Sequence, residues 1–221
     1  MSTKGHSNAG ASAKHDSRRD GPNNNTAMIP TTDFIAIDTE TGGLDSTECA
    51  LLSIAAVPSW DAPPFHVYIL PVGRLEKKAL EVNGYTPELW AARGALPEKH
   101  ALWELQRWEH GIGRRYQMAA HNAGFDLLFM EAVQARTGIY LDLPKIWHCT
   151  KTKMKDAEEA GLYVPTQGRE GKHHLDDLGR ESGYWQIDPR NAEHDALQDA
   201  RCCTHGLYWI RSLQKKEGLR L

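Results

Sequence analysis

Apolar residues gather at three early points of the chain. Phe34-Ile-Ala-Ile37 ends abruptly in Asp38-Thr39-Glu40-Thr41-Gly42-Gly43, which predicts a buried strand stopping at a glycine-rich turn. Two further runs, near 50 to 58 and 65 to 71, are separated by a turn around Asp61-Ala-Pro-Pro64. Three consecutive strands predict an antiparallel meander. Helical spacing follows near 75 to 82 and 97 to 111, then a strand near 116 to 120 and a helix running through Asp126 to about Arg136. A short strand near Ile146 to Cys149 precedes helices near 151 to 160, 174 to 182 and 192 to 214. Asn191 or Asp188-Pro189 supplies the start signal of the last helix. The order predicts an α/β fold, with a mixed central sheet of an antiparallel meander and then parallel strands, flanked by helices. Trp103, Trp108, Trp147 and Trp209 are assigned to packing between helices and sheet.

With 221 residues and 40% hydrophobic content, the chain can bury one good core and is short for two. Residues 32 to 221 are read as a single domain. Residues 1 to 31 hold almost nothing apolar and are read as a disordered N-terminal tail, because such a composition cannot offset chain entropy by burial. The tail carries a mild positive excess. No charged-then-apolar leader and no apolar run near twenty residues is found, which predicts a cytoplasmic protein that does not engage a membrane. Cysteines 49, 149, 202 and 203 form no Cys-x-x-Cys pair and are read as reduced thiols, not a zinc site. A formal net charge of −3 argues against a protein that coats nucleic acid by bulk electrostatics. It leaves room for an enzyme gripping a few terminal nucleotides. Lys151, Lys153, Lys155 and the loop Gln167-Gly-Arg169-Glu-Gly-Lys172-His173-His174 are local basic candidates, with a solvated role favoured for both.

Three stretches carry carboxylates in a fixed order. Asp38 and Glu40 stand two apart on a strand and so project to the same side. Carboxylates that close repel unless a cation lies between them, and hard divalent ions such as Mg²⁺ or Mn²⁺ choose oxygen ligands. Asp126 falls in the first turn of its helix, where the helix dipole alone would favour it and where Asn122 would cap. His194 and Asp199 are five apart, about 500° of helical turn, which suits Asp199 on the helix and His194 at its beginning. Each stretch alone has an ordinary structural explanation. Their conjunction does not.

Asp38-Thr-Glu40 with Thr41-Gly-Gly-Leu44, Ala120-His-Asn122-Ala-Gly-Phe-Asp126, and His194 ahead of Asp199 resemble the motifs of the DEDDh 3′-5′ exonucleases. That superfamily includes the proofreading subunit of bacterial DNA polymerase III, ribonuclease T and exodeoxyribonuclease X. The resemblance runs from about Asp33 to Ser212, and lesser matches such as Leu175-Asp-Asp-Leu178 lie between the motifs. Within the superfamily, Phe65-His-Val67, Pro71-Val-Gly73 and Ala79-Leu80-Glu-Val-Asn83-Gly84 look most like ribonuclease T, although Leu44 and Val82 stand where that enzyme presents aromatic rings.

The resemblance implies a ribonuclease H-like fold. It also implies release of nucleoside 5′-monophosphates from the 3′ end of single-stranded DNA or RNA. Asp38, Glu40, Asp126 and Asp199 would hold two Mg²⁺ or Mn²⁺ ions roughly 3.5 to 4 Å apart. His194 would be the general base, since the neutral form of an unperturbed histidine is abundant at pH 7. Thr39, Thr41, Leu44, His121, Asn122 and Phe125 would surround the terminal nucleotide. A homodimer and a replication or repair partner are open on this reading. The alternatives are oligoribonuclease-like processing of very short oligonucleotides, a non-catalytic polymerase-associated subunit, or a small-molecule phosphohydrolase; the lack of a Gly-x-x-x-x-Gly-Lys loop argues against a nucleotide triphosphatase.

Overall fold

The computed structural model describes residues 33–144, 147–191 and 193–218. The N-terminal tail of residues 1–31, read above as disordered, lies outside the described residues.

The alternation seen in the sequence sets the architecture. Strand β1 (Phe34–Thr41) is the middle of a five-stranded sheet of order β3-β2-β1-β4-β5. It pairs antiparallel with β2 (Leu51–Pro58), which pairs antiparallel with β3 (Phe65–Tyr68), completing the predicted meander. On its other side β1 runs parallel to β4 (Gln117–Ala120), and β4 parallel to β5 (Trp147–Cys149). The helices are α1 (Lys77–Asn83), α2 (Pro87–Ala92), α3 (Glu98–Gly111) and α4 (Ala123–Thr137), then α5 (Thr150–Glu159), α6 (Leu175–Glu181), α7 (Tyr184–Ile187) and α8 (Ala196–Lys216).

Both faces of β1 are covered. Ile35 and Ile37 point to the main core, against Leu102 and Leu105 of α3 and Phe129, Met130 and Val133 of α4. Phe34 and Ala36 point the opposite way, against Cys203 and Leu207 of α8. Small residues let α8 lie close to the sheet: Ala36 and Ala119 sit under Cys203 and Leu207, and Ala55 of β2 packs on Ala196 and Ala200. Period-2 alternation then carries Asp38 and Glu40 onto the α8 face and Thr39 onto the α4 face.

Several expectations are corrected. β1 extends to Thr41 because Asp38 to Thr41 keep pairing with β2 through a register shift at Glu40 and Thr41. β3 stops at Tyr68, and Ile69 makes only an isolated bridge to Leu96. Two short helices were not anticipated. α2 starts at a Thr86 cap accepting from the Leu89 amide with Pro87 in the first turn, and α7 is a single turn after Gly183. The last helix begins at Ala196, with Asp195 as its cap, accepting from the Gln198 amide, so neither Asn191 nor Asp188-Pro189 starts it. Trp103 is 45% exposed with the Arg107 guanidinium 4.9 Å above its ring, so it is not a core residue. The deeply buried tryptophan is Trp90, whose indole N–H donates to the Leu52 carbonyl at 2.8 Å.

Candidate active site

The carboxyl ends of the parallel pair β1 and β4 leave a crevice, the usual place for ligands in open α/β sheets. Here it is a cleft of about 400 Å³, lined by Asp38, Thr39, Glu40, Asp126, His194 and Asp199 among others. Three elements deliver the acids. Asp38 and Glu40 come from the end of β1. Asp126 comes from the first turn of α4, which begins just beyond β4. Asp199 comes from the first turn of α8, and His194 from the residue before the Asp195 cap. His194 therefore stands outside the helix, and its backbone N–H donates to the Val82 carbonyl at 3.0 Å.

The electrostatics follow from crowding acids at a buried place. Burial first, then the Asp199, Asp126 and Glu40 charges, hold the Asp38 carboxyl well above the usual carboxylate range. Burial and the nearby Asp199 and Asp195 charges push Glu40 up to about 8. Burial pushes Asp126 up to about 7, opposed by the Thr39 hydroxyl, which donates to its Oδ1 at 2.8 Å. Oxygen donors of Glu40 and Asp199 and a ring nitrogen of His194 lie within 4.8 Å of one another. The carboxylate oxygens of such a set suit a hard divalent cation.

The sequence did not single out Arg190. Its guanidinium grips Asp199 with two bonds, at 2.8 Å to Oδ1 and 3.2 Å to Oδ2, and lies 3.0 Å from His194 Nε2. Its Nε reaches Asp176 at 3.0 Å, and its plane stacks 5.0 Å from the Trp185 ring centre. The Arg190 charge opposes the upward shifts of both Asp38 and Glu40. No local pattern announces it, since an arginine after a proline is ordinary loop composition.

Around the acids, Thr39, Thr41, Leu44, His121 and Phe125 line the cleft. Leu44 is 82% exposed, an apolar side chain held in the open at its rim. The turn carrying it needs glycine: a Cβ on Gly42 would stand 2.7 Å from the Arg74 carbonyl oxygen, and one on Gly43 2.6 Å from Cys49 Sγ. Asn83 donates from Nδ2 to the Thr41 carbonyl at 3.0 Å, tying α1 to the end of β1 and bringing Lys78 and Val82 to the cleft. Phe125 packs on Phe129 with ring centres 4.9 Å apart, leaving part of its ring toward the opening. His121 donates from Nε2 to the His173 carbonyl at 3.0 Å, and burial lowers its pKa to about 4, so its ring is neutral at pH 7. Asn122 is not among the cleft-lining residues. It takes a left-handed conformation at φ 70° at the start of α4, and its side chain makes no capping bond. In the basic loop Arg169 pairs with Asp177 at 2.5 Å, while Lys172 is exposed and donates within the loop to the Gly168 carbonyl at 3.0 Å.

Comparison with known proteins adds an independent view. The family model described as Exonuclease matches residues 35–205. Ribonuclease T of Vibrio vulnificus (strain YJ016) is 36% identical over 121 residues, covering 46% of this chain and 54% of that protein. Ribonuclease T of Photorhabdus laumondii is 38% identical over 122 residues, covering 48% and 55%. The chain thus spans about half the length of the curated relatives it matches. Among solved structures, Escherichia coli exonuclease I in complex with a dT13 oligonucleotide superposes with a TM-score of 0.70 at 15% identity, over 85% of this chain and 43% of that one. Exonuclease X in complex with 5′ overhanging duplex DNA superposes with a TM-score of 0.55 at 20% identity, over 85% and 94%. At those identities the likeness shows the fold, which is ribonuclease H-like.

Proposed function

This chain belongs to the exonuclease family, within the DEDDh 3′-5′ exonuclease superfamily, and from that premise we propose that it hydrolyses the terminal phosphodiester at the 3′ end of single-stranded nucleic acid. The observation that supports this best is the meeting of Asp38, Glu40, Asp126, Asp199 and His194 in one cleft from three separate parts of the chain. Relatives named ribonuclease T and a solved exonuclease I complex with an oligonucleotide point the same way.

Asp38, Glu40, Asp126 and Asp199 would hold two divalent ions, Mg²⁺ or Mn²⁺. Bound there, the ions supply Lewis-acid activation of the attacking water and neutralise charge on the phosphate and leaving oxygen. The chain does the rest. Thr39 orients Asp126 through its 2.8 Å hydrogen bond. His194 would accept the proton of the attacking water. Leu44 and Phe125 would offer apolar surface to the terminal base, a contact tolerant of base identity. Thr41 and His121 complete the wall, and the product leaves as a nucleoside 5′-monophosphate.

The test is degradation of matched 5′-labelled single-stranded DNA and RNA with Mg²⁺ or Mn²⁺, with Asp126→Ala protein as the control for contamination. A 3′-to-5′ ladder absent from the mutant supports the reading, and the relative rates give the preferred sugar. If neither polymer shortens beyond the mutant background, the reading fails for these substrates. Very short oligonucleotides then become the next substrates to try.

A further inference from the structure

We propose that Arg190 is a positioning residue that caps Asp199 and His194 together and surrenders both when a divalent ion binds. A guanidinium carries only donors, so the 3.0 Å contact from Nη2 requires His194 Nε2 to accept through its lone pair. The ring proton then resides on Nδ1, 3.4 Å from Asp199 Oδ2. The same guanidinium spans both carboxylate oxygens of Asp199. An ion that ligates Asp199 competes with Arg190 for the same two oxygens and repels its charge, and displacement of the arginine frees the lone pair that would take a proton from water. Ion loading and release of the base become one event.

The surroundings are built for that movement. Gln198 clips the segment from below: its Nε2 donates to Asp188 Oδ1 at 3.2 Å and to the Pro189 carbonyl at 3.0 Å, and its Oε1 accepts from the Asn191 amide at 3.0 Å. At the other end the His194 amide is bonded to Val82. With the backbone held at both ends, the change is confined to the arginine side chain. Arg190 also holds Asp176 through Nε at 3.0 Å and lies 5.0 Å from the Trp185 ring centre, contacts that do not involve Asp199 and can retain the side chain when its bonds to Asp199 break.

This inference rests on reading the carboxylates as ion ligands, and the two can fail separately. The experiment is calorimetric titration of Mn²⁺ into the full chain without nucleic acid, for wild type, Arg190→Ala and Arg190→Lys. Arg190→Ala is expected to bind Mn²⁺ at least about tenfold more tightly, because the ion no longer has to break a buried bidentate pair. Arg190→Lys keeps a charge but cannot bridge two oxygens, so its affinity should fall between the two. It carries the test alone if the alanine variant does not melt cooperatively. In wild type, Mg²⁺ should also shift the ¹⁵N resonance of His194 Nε2, and in Arg190→Ala the metal-free resonance should already lie near the shifted position. Affinities equal to or weaker than wild type in folded variants would overturn the role of Arg190 alone. Absence of Mn²⁺ binding in every protein would overturn the ion-site reading as well.

Discussion

At Asp199 one buried carboxylate meets an arginine, a histidine and the field of three other acids, and its neighbours show what that crowding does. Glu40 at about 8 and Asp126 at about 7 hold protons in the fold that the unfolded chain has already lost near pH 4. For a carboxyl whose folded pKa is raised, stability falls as pH climbs toward that value. Between pH 7.5 and 8, where unfolded histidines, with an ordinary value near 6.5, are mostly deprotonated, the metal-free protein in EDTA should become less stable, its urea midpoint dropping, and saturating Mn²⁺ should flatten the slope. A midpoint that holds or rises at pH 8 in EDTA would contradict this. Roles inside the site separate by substitution. His194→Ala should cut turnover by about 100-fold or more while leaving Mn²⁺ affinity nearly intact, whereas Asp38→Ala should lose both. Calorimetry decides: an affinity loss in His194→Ala as large as in Asp38→Ala would make the histidine an ion ligand.

At the level of elements, β1 is a strand with two jobs divided by parity. Its even positions face α8 and its odd positions face α3 and α4, so one strand presents its two acids on the α8 side and, on the other, Thr39, which bonds Asp126 of α4. The helices behind the site are packed with little slack. A Cβ on Gly206 of α8 would come 2.5 Å from Leu178 of α6, the helix whose Leu175 lines the cleft. Gly206→Val should therefore force α6 away from α8 and destabilise the fold by about 2 kcal/mol, beyond any gain in helix propensity. Thermal unfolding reads this directly, and an unchanged melting temperature would show that α6 has room to move. Arg190 depends on the same layer, since Trp185, on which it stacks, lies where a Cβ on Gly179 would be, 2.1 Å from the indole nitrogen.

For the whole molecule, charge is the constraint on substrate capture. A net charge of −3 and a cleft whose described lining includes Lys78 as its cationic side chain leave few groups to neutralise phosphates. The logarithm of KM for a single-stranded oligonucleotide should accordingly change with the logarithm of salt concentration by a slope no steeper than about 2, as for two or three phosphate contacts. A steep slope would point to a basic surface elsewhere on the chain. Among the described residues no helix is long and apolar enough to cross a membrane. What the sequence determined by itself was the set of local periods: the apolar run of β1, the helical spacing of α3, α4 and α8, and the identity and order of the acids. These are legible because strand and helix periodicity depend on neighbours in sequence. Only the tertiary structure decided that Arg190 closes on Asp199, that Asn122 turns left-handed without capping, that Trp103 is exposed while Trp90 is buried, and that α8 starts at Ala196 behind an Asp195 cap. Each of those depends on which surfaces meet across the sheet, and a contact between residues brought together by packing leaves no period in the chain.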